Sequence, residues 1–290
     1  MAVVFGLAAA LLWGGTDFLI RIIGRGMGVH KAMLYAQGVG ALGLGLWLAL
    51  DPAVREPLRH PSPLALLAGI GAAPIGLLAT VSLYRGLQVG RVGLVSPITG
   101  AYGAVTAVLS LVSGETIGMV AILGLALVMA GSVLVCLPPR ATEAGHDPHS
   151  VGDRAGLAYA IVACVGFGVQ FWIQGRFATP GLGAVVPVWL YYAISTVLLA
   201  AAALVLRPSL ALSRPDAGAV LGTGAIAVFG YLAVSAGLAT GQVAIVTVLS
   251  SLQSAITVGL ACLFLGERLA VHQWLGVAIV AGGLALIRAG

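Results

Sequence analysis

Charged residues are scarce in this chain of 290 residues. Asp, Glu, Lys and Arg together make up 8% of it, Lys31 is the only lysine, and 60% of the residues are hydrophobic. A soluble globular domain carries about 25% charged residues, because its helices and strands meet water on one face. The scarcity of charge excludes a water-soluble fold, and the scattered basic residues form no dense patch for nucleic acid.

Residues that bind metals or form disulfides are also few. The chain has three cysteines, Cys136, Cys164 and Cys262. They lie in apolar segments without the spacing of a zinc site or a disulfide framework. A hydrophilic stretch holds His146, Asp147 and His149, but so few ligands in a flexible segment favour a plain linker over a metal site. No Walker motif is present, so the sequence predicts no ATP-driven step, no metal and no cofactor.

Long apolar runs take up most of the sequence. Each is about 20 residues long, which is enough for a helix to cross a hydrocarbon layer of roughly 30 Å. The alternating polarity of barrel strands is not visible. We therefore predict an all-α polytopic membrane protein with ten transmembrane helices, called spans 1 to 10. Their expected bounds are 3–22, 32–50, 64–85, 92–112, 117–137, 155–174, 184–206, 217–237, 243–264 and 271–288.

The two halves of the chain repeat each other. Gly86-Leu87 recurs 151 residues later as Gly237-Leu238, and Gly114-Glu115 recurs as Gly266-Glu267. Duplicated membrane bundles are typical of transporters, in which two inverted halves enclose a site near the membrane mid-plane. The sequence predicts two inverted five-helix repeats, residues 1–137 and 155–290, joined by a hydrophilic linker at 138–154.

Asp17 is the first candidate for a functional residue. An ionised acid inside a span costs at least about 2.5–3.5 kcal/mol, so it needs a partner or a role. Burial disfavours the charged form of a carboxyl group, so Asp17 is a candidate proton carrier. Arg21, one helical turn later, could instead form a structural ion pair with it. In span 6, Gln170 and Gln174 align with this pair, which favours a shared cavity between the two opening helices.

Four further residues complete the predicted substrate site. Tyr102 in span 4 and Gln253 in span 9 are the large polar residues in two spans otherwise rich in small hydroxyl side chains. Such small residues more often serve helix packing. Trp13 and Trp172 lie close to the polar residues of spans 1 and 6, and we expect both to form cavity walls. The alternative is a place in the interfacial belt that Trp and Tyr favour.

Structural roles are assigned to Pro97, to the two Gly-Glu motifs and to the glycines of spans 5 and 10. Pro97 predicts a kink in span 4, because proline removes a backbone hydrogen bond. Glu115 and Glu267 are expected to lie near the start of the helix that follows each, where free N–H groups stabilise a carboxylate. The glycines of spans 5 and 10 permit close backbone approach, and these are Gly118, Gly124, Gly131, Gly276, Gly282 and Gly283.

These motifs resemble a known family. The segment Leu265 to Gly276, with Gly266-Glu267-Arg268 at its start, resembles the end of each half of the EamA branch of the drug/metabolite transporter superfamily. Leu12-Trp13-Gly14-Gly15, before Asp17, is similar to that family's first helix. The first Gly-Glu copy continues with Thr116 where the second has Arg268.

The resemblance implies a single-chain secondary transporter in the inner (plasma) membrane, with both termini in the cytoplasm. Spans 1–4 and 6–9 would surround a central cavity, with spans 5 and 10 at the periphery. Family members move amino acids, metabolites or drugs, often outward. The expected partners are a small-molecule substrate, protons and the lipid bilayer, and the chain would be a monomer or a homodimer.

Two points remain open at the level of sequence. The basic residues cluster in connections 1–2, 3–4, 5–6, 7–8 and 9–10, which by the positive-inside rule would place the termini outside. A lipid or amphiphile flippase on the same scaffold is the alternative function. An enzyme is not expected, because the five histidines fall in connections or at helix ends and form no Ser/His/Asp grouping.

Overall fold

In the computed structural model, the described part of the chain contains ten apolar helices that are each long enough to cross a membrane. The structure describes residues 1–23, 29–90, 92–137, 151–207, 210–211, 213–265 and 269–289, and no strand occurs among them. Spans 1 to 5 are Ala2–Ile23, Val29–Leu50, Pro63–Val89, Val92–Gly100 with Tyr102–Val112, and Met119–Cys136. Spans 6 to 10 are Val151–Ile173, Val185–Leu206, Arg214–Leu238, Val243–Ser250 with Gln253–Leu265, and Val271–Ala289. The prediction of a ten-helix membrane protein is confirmed.

Span 6 is longer at both ends than the sequence predicted. It begins at Val151, so the end of the predicted linker is helical; residues 138–150 lie outside the described residues. The extra turn packs on span 3, where a Cβ on Gly152 would lie 2.7 Å from the Val89 carbonyl oxygen. At its other end the helix continues through a π-helical turn, Gln174–Ala178, into the short helix Thr179–Leu182.

The connection between spans 2 and 3 also contains helical structure that was not predicted. Asp51 accepts a hydrogen bond from the Ala53 N–H at 2.9 Å and so caps the short helix Pro52–Arg55. A 3₁₀ turn, Glu56–Leu58, follows it. Proline at the first helical position needs no N–H partner, which suits a helix start.

Spans 4 and 9 are each broken near their middle. Span 4 is interrupted at Ala101, one turn after the Pro97 to which the sequence assigned a kink. The Ala101 N–H is shared between the carbonyls of Pro97 and Ile98, both at 3.2 Å, so the helix tightens there into a 3₁₀-like turn. Span 9 is interrupted at Ser251 and Leu252.

The two breaks lie against each other. A Cβ on Gly103 would be 2.8 Å from Val248 Cα and 3.1 Å from Ser251 Oγ, and one on Gly100 would be 3.3 Å from Ser254 Oγ. With the repeat shift of 151 residues, Gly100 corresponds to Ser251 and Gly103 to Ser254. The contact of Gly100 with Ser254 and the contact of Gly103 with Ser251 are therefore counterparts in which the two halves exchange places.

Spans 5 and 10 also meet through a pair of reciprocal contacts between equivalent residues. A Cβ on Gly124 would lie 2.7 Å from the Gly283 carbonyl oxygen, and one on Gly131 would lie 2.7 Å from that of Gly276. In the sequence repeat, Gly124 corresponds to Gly276 and Gly131 to Gly283. Reciprocal contacts of this kind are what a two-fold axis produces. They support the predicted inverted relation of the two halves. Because each half has five spans, an odd number, the second half begins on the opposite side of the membrane from the first.

Not every glycine of this group serves the interface. A Cβ on Gly282 would meet open space, whereas one on its neighbour Gly283 would meet the backbone of span 5.

Gly131→Ala should force spans 5 and 10 apart and lower the free energy of unfolding by about 1–3 kcal/mol, as overpacking does elsewhere. Thermal unfolding of the purified protein measures the loss. Gly282→Ala is the matched control and should not lower the transition temperature, since alanine is the better helix former and meets open space there; an equal loss in both variants would contradict the assignment.

Candidate functional site

A cavity of about 300 Å³ lies among spans 1–4 and 6–9. No residue of spans 5 or 10 is among its described lining residues. The lining reaches Met33 at the start of span 2, Tyr84 near the end of span 3 and Val220 near the start of span 8. The cavity therefore extends from the middle of the bundle towards the end that carries connections 1–2, 3–4 and 7–8.

At the opposite end of the bundle, spans 1, 8 and 9 pack closely against one another. A Cβ on Gly6 of span 1 would lie 2.7 Å from Leu249 Cβ and 2.9 Å from the Val246 carbonyl oxygen. On span 8, a Cβ on Gly237 would lie 2.7 Å from a methyl group of Val246 and 3.0 Å from Phe5 Cβ. Spans 1, 8 and 9 thus meet without space between them near the end that carries the N-terminus.

Aromatic rings form much of the cavity wall. Three apolar or indole rings line it, those of Trp13, Phe167 and Phe171. Five tyrosines join them, Tyr84, Tyr102, Tyr191, Tyr192 and Tyr231.

Neighbouring rings of this wall pack against one another. Phe171 lies 5.5 Å from Tyr102, 5.8 Å from Tyr231 and 6.0 Å from Trp13 between ring centroids, and Tyr191 lies 5.0 Å from Tyr231. Edge-to-face and tilted contacts at these distances hold rings in fixed orientations. The wall is therefore aromatic and rigid, and it is built from both halves.

Asp17 lines this cavity, as do Trp13 and Gln170. Asp17 is the only acidic residue among the described lining residues, and no lysine, arginine or histidine is among them. Arg21 belongs to span 1, but its side chain lies outside the described residues, so neither its predicted place in the substrate site nor the alternative ion pair with Asp17 is tested.

Gln170 and Gln174 belong to one hydrogen-bonded chain. Gln170 Nε2 donates to the Tyr231 hydroxyl, which donates to Gln174 Oε1 at 2.8 Å, and Gln174 Nε2 donates to Ser235 Oγ at 3.0 Å. Gln170 reaches the cavity, whereas Gln174 is not among its described lining residues and lies behind Tyr231. Gln174 is thus placed to orient Tyr231 and does not face the cavity.

Tyr102 and Gln253 occupy equivalent places, each as the first helical residue after the break in its span. Both line the cavity. The Tyr102 hydroxyl is 2.8 Å from Ser250 Oγ. Gln253 Oε1 is buried and has no hydrogen-bond partner among the described residues.

Trp172 is placed differently from the prediction. It is not among the described lining residues, and its indole N–H donates to Ser113 Oγ at 2.9 Å while its ring meets Phe177 edge-on at 5.4 Å. Successive residues of a helix point about 100° apart, so the neighbour of the cavity-facing Phe171 turns towards the end of span 4 instead. The expectation that Trp172 forms a cavity wall is wrong.

Sequence reasoning did not single out Gln37, Thr80 or Tyr191. Gln37 Nε2 donates to the Tyr191 hydroxyl at 3.1 Å, and Tyr191 lies 3.0 Å from Thr80 Oγ1, so spans 2, 3 and 7 are connected beside the cavity. An amide in the middle of an apolar span was the available signal for Gln37, since buried polar groups need partners.

The Gly-Glu motif of the first half joins the two halves. Gly114 has a φ of 91°, a conformation that favours glycine, and this turn directs Glu115 to the start of span 9. Both carboxylate oxygens accept from the Ala244 N–H, at 3.2 and 3.3 Å. Glu115 therefore caps a helix of the other half, and not span 5 as the sequence suggested. Glu267 lies outside the described residues.

The Glu115 carboxyl group is half-buried, and burial raises its pKa, although the bond from Ala244 opposes the shift. A raised pKa in the folded state means that stability is lost as pH rises through it. Glu115→Gln keeps an acceptor for Ala244 and imitates the protonated acid. It should be more stable than the wild type at neutral pH, with the difference disappearing at acidic pH, in thermal unfolding measured across pH.

Glu56→Ala provides the control for this prediction. Glu56 forms an exposed pair with Arg59 at 3.1 Å near the same end of the bundle, and exposed pairs contribute little to stability. A Glu115→Gln difference that does not change with pH would show that the Glu115 charge plays no part.

Comparisons with known proteins agree with this architecture. The EamA-like transporter family matches residues 1–137 and again residues 154–289, and the gap between the two matches falls on the predicted linker. No curated protein matches the chain. A solved crystal structure resembles it over 98% of this chain and 95% of its own, with a TM-score of 0.76 and 20% identity, which establishes similarity of fold alone.

Proposed function

Because the chain belongs to the EamA-like transporter family, we propose that its central cavity binds a small metabolite such as an amino acid and carries it across the membrane by alternating access. The chain is a multi-pass membrane protein and a membrane transporter of the drug/metabolite superfamily. The observation that carries the proposal is the cavity itself, enclosed by four spans of each half and holding an acid and several amides.

Alternating access requires one end of the bundle to be closed while the other admits the solute. The packed contacts of spans 1, 8 and 9 and the Glu115 cap support closure near the N-terminal end. The cavity extends towards the other end. Rocking of the two halves about the breaks in spans 4 and 9 would reverse this arrangement.

For direction, we propose export across the plasma membrane with both termini in the cytoplasm, for which the family resemblance is the support. The distribution of arginines favours the reverse orientation. A reporter that is active only in the cytoplasm, fused after the last residue, should be active in cells. An inactive reporter of normal abundance would overturn this orientation.

Filling the cavity should stop transport. Thr223 lines it, and its hydroxyl donates to the Ala219 carbonyl oxygen of its own helix, so Thr223→Trp adds bulk without leaving a buried partner unpaired. In proteoliposomes tested with amino acids, amines and organic anions, the variant should lose uptake of every solute that the wild type carries. Phe229→Trp, on the same span with an exposed side chain, should retain it.

We assign proton coupling to Asp17, since it is the acid in the described lining. A carboxylate can drive exchange by binding a proton in one state and releasing it in the other. In liposomes with an imposed pH gradient, Asp17→Asn should lose the gradient-driven component of uptake and keep downhill exchange of substrate. Gradient-driven uptake of the wild-type size in Asp17→Asn would show that Asp17 is not the coupling residue.

A further inference from the structure

The breaks in spans 4 and 9 carry two equivalent pairs of polar residues. The repeat shift of 151 residues relates Tyr102 to Gln253, and the same shift relates Thr99 to Ser250. Exchanging the two halves therefore turns one pair, Tyr102 with Ser250, into a second pair. That second pair is Thr99 with Gln253. Each pair has one residue on span 4 and one on span 9.

The first pair is hydrogen-bonded, whereas neither member of the second has found a partner. The Tyr102 hydroxyl lies 2.8 Å from Ser250 Oγ. Ser250 Oγ donates to the Thr247 carbonyl oxygen at 3.0 Å, so Tyr102 is the donor to Ser250. Thr99 Oγ1 and Gln253 Oε1 are both buried, and neither has a hydrogen-bond partner among the described residues.

The unpaired hydroxyl of Thr99 differs from those of other threonines in these two spans. Thr106 Oγ1 donates to the Tyr102 carbonyl oxygen at 3.2 Å, and Thr247 Oγ1 donates to that of Val243 at 2.8 Å, one helical turn earlier in each case. Thr99 is only 3% exposed. A buried donor and a buried acceptor without partners are costly, and the cost disappears in any arrangement that brings the two together.

The bonded pair lies on the packed side of the breaks. Tyr102 follows the break in span 4 and Ser250 precedes the break in span 9, so both lie towards the end that carries the N-terminus. Thr99 and Gln253 lie on the other side of the breaks, towards the end to which the cavity extends. The bonded pair is thus on the side where spans 1, 8 and 9 meet without space between them.

The unpaired residues lie beside an existing contact between the two spans. A Cβ on Gly100 would be 3.3 Å from Ser254 Oγ. Gly100 follows Thr99 directly and Ser254 follows Gln253, so both unpaired atoms belong to the same crossing of spans 4 and 9.

We propose that Thr99 donates to Gln253 Oε1 in the opposite-facing state, in which the end that carries the N-terminus is open and the other end is closed. This bond holds that state as the bond from Tyr102 to Ser250 holds the state of this structure. Because each state makes one of the two bonds and forgoes the other, the bonds offset each other in the equilibrium. This inference rests on the proposed function, since it assumes that the bundle alternates between two facing states.

Spin labels at the two ends of the bundle report which state is populated. The three native cysteines are replaced by alanine, and one pair of labels is placed at Val112 and Ala239, which are exposed near the end that carries the N-terminus. A second pair is placed at Val89 and Phe264, which are exposed near the other end. Double electron–electron resonance on the full chain in nanodiscs measures both distances. The opposite-facing state lengthens the first distance and shortens the second.

Variants of similar shape test each bond. Thr99→Val should shift the ratio of the two states at least about fivefold towards the state of this structure, the change that one net hydrogen bond gives. Tyr102→Phe should shift the ratio about fivefold the other way, for the same reason. Thr99→Ser keeps the hydroxyl and should behave as the wild type. Ser195→Ala is the matched control, because Ser195 Oγ is also buried without a partner among the described residues but lies on span 7.

A double variant tests whether the two unpaired atoms bond to each other. Gln253→Met should shift the ratio in the same direction as Thr99→Val. If Thr99 and Gln253 form one bond, the variant with both changes shifts the ratio no further than either change alone, since residues in contact are not additive. Full additivity would show that the two residues act separately.

Full additivity, an unchanged ratio in Thr99→Val or an equal shift in Ser195→Ala overturns the inference. If the wild type shows a single arrangement, whichever of Tyr102→Phe and Thr99→Val weakens that arrangement decides the matter, because it should bring the second one into view. If Tyr102→Phe does not fold, the comparison of Thr99→Val with Thr99→Ser still decides.

Flux in proteoliposomes tests the proposed function separately. Uptake of solute by a chain whose ratio does not respond to Thr99→Val would remove this inference and keep the function. A ratio that follows the two bonds in a chain that carries no solute would do the opposite.

Discussion

Inside a lipid layer every polar group must find its partner within the protein, and this constraint determines most of the structure. The backbone satisfies it by forming helices. Where a helix is interrupted, at Ala101 and at Ser251 and Leu252, the interruption lies against the other half of the bundle and beside the cavity. The polar side chains satisfy it through connected donors and acceptors, such as the chain from Gln170 to Ser235.

The same constraint identifies the site. In a membrane protein, large polar side chains that lie together beside one space mark a candidate binding site. Gln37 and Gln253 both face one cavity, and Asp17 shares it.

Sequence reasoning predicted the ten helices well, because the length of an apolar run translates directly into a membrane crossing. It also selected Asp17, Tyr102, Gln170 and Gln253, which the structure brings to one cavity. Each is a large polar residue within an apolar run, and such a residue is conspicuous without any knowledge of packing. Whether they bind substrate stays a prediction.

The features that were not predicted depend on how a side chain is rotated about its helix axis and on contacts between residues far apart in the sequence. The sequence alone shows neither. Trp172 differs from Phe171 by one residue and hence by about 100° around the helix axis, enough to turn it from the cavity to Ser113. The cap formed by Glu115 involves Ala244, 129 residues away. No local pattern distinguishes that partner from the start of span 5, which is much closer in sequence.

The internal repeat explains how a site built from two related halves can carry a single charged residue, Asp17, among its described lining residues. The repeat gives Asp17 a counterpart in Gln170 and gives Tyr102 a counterpart in Gln253, so equivalent backbone positions carry different chemistry. The reciprocal glycine contacts of spans 5 and 10 preserve the common scaffold, while the inner faces of the eight remaining spans have diverged. A second carboxylate at Gln170 would repel the first across a cavity of about 300 Å³. An amide there instead donates to Tyr231 and leaves Asp17 as the only charged residue among the described lining residues.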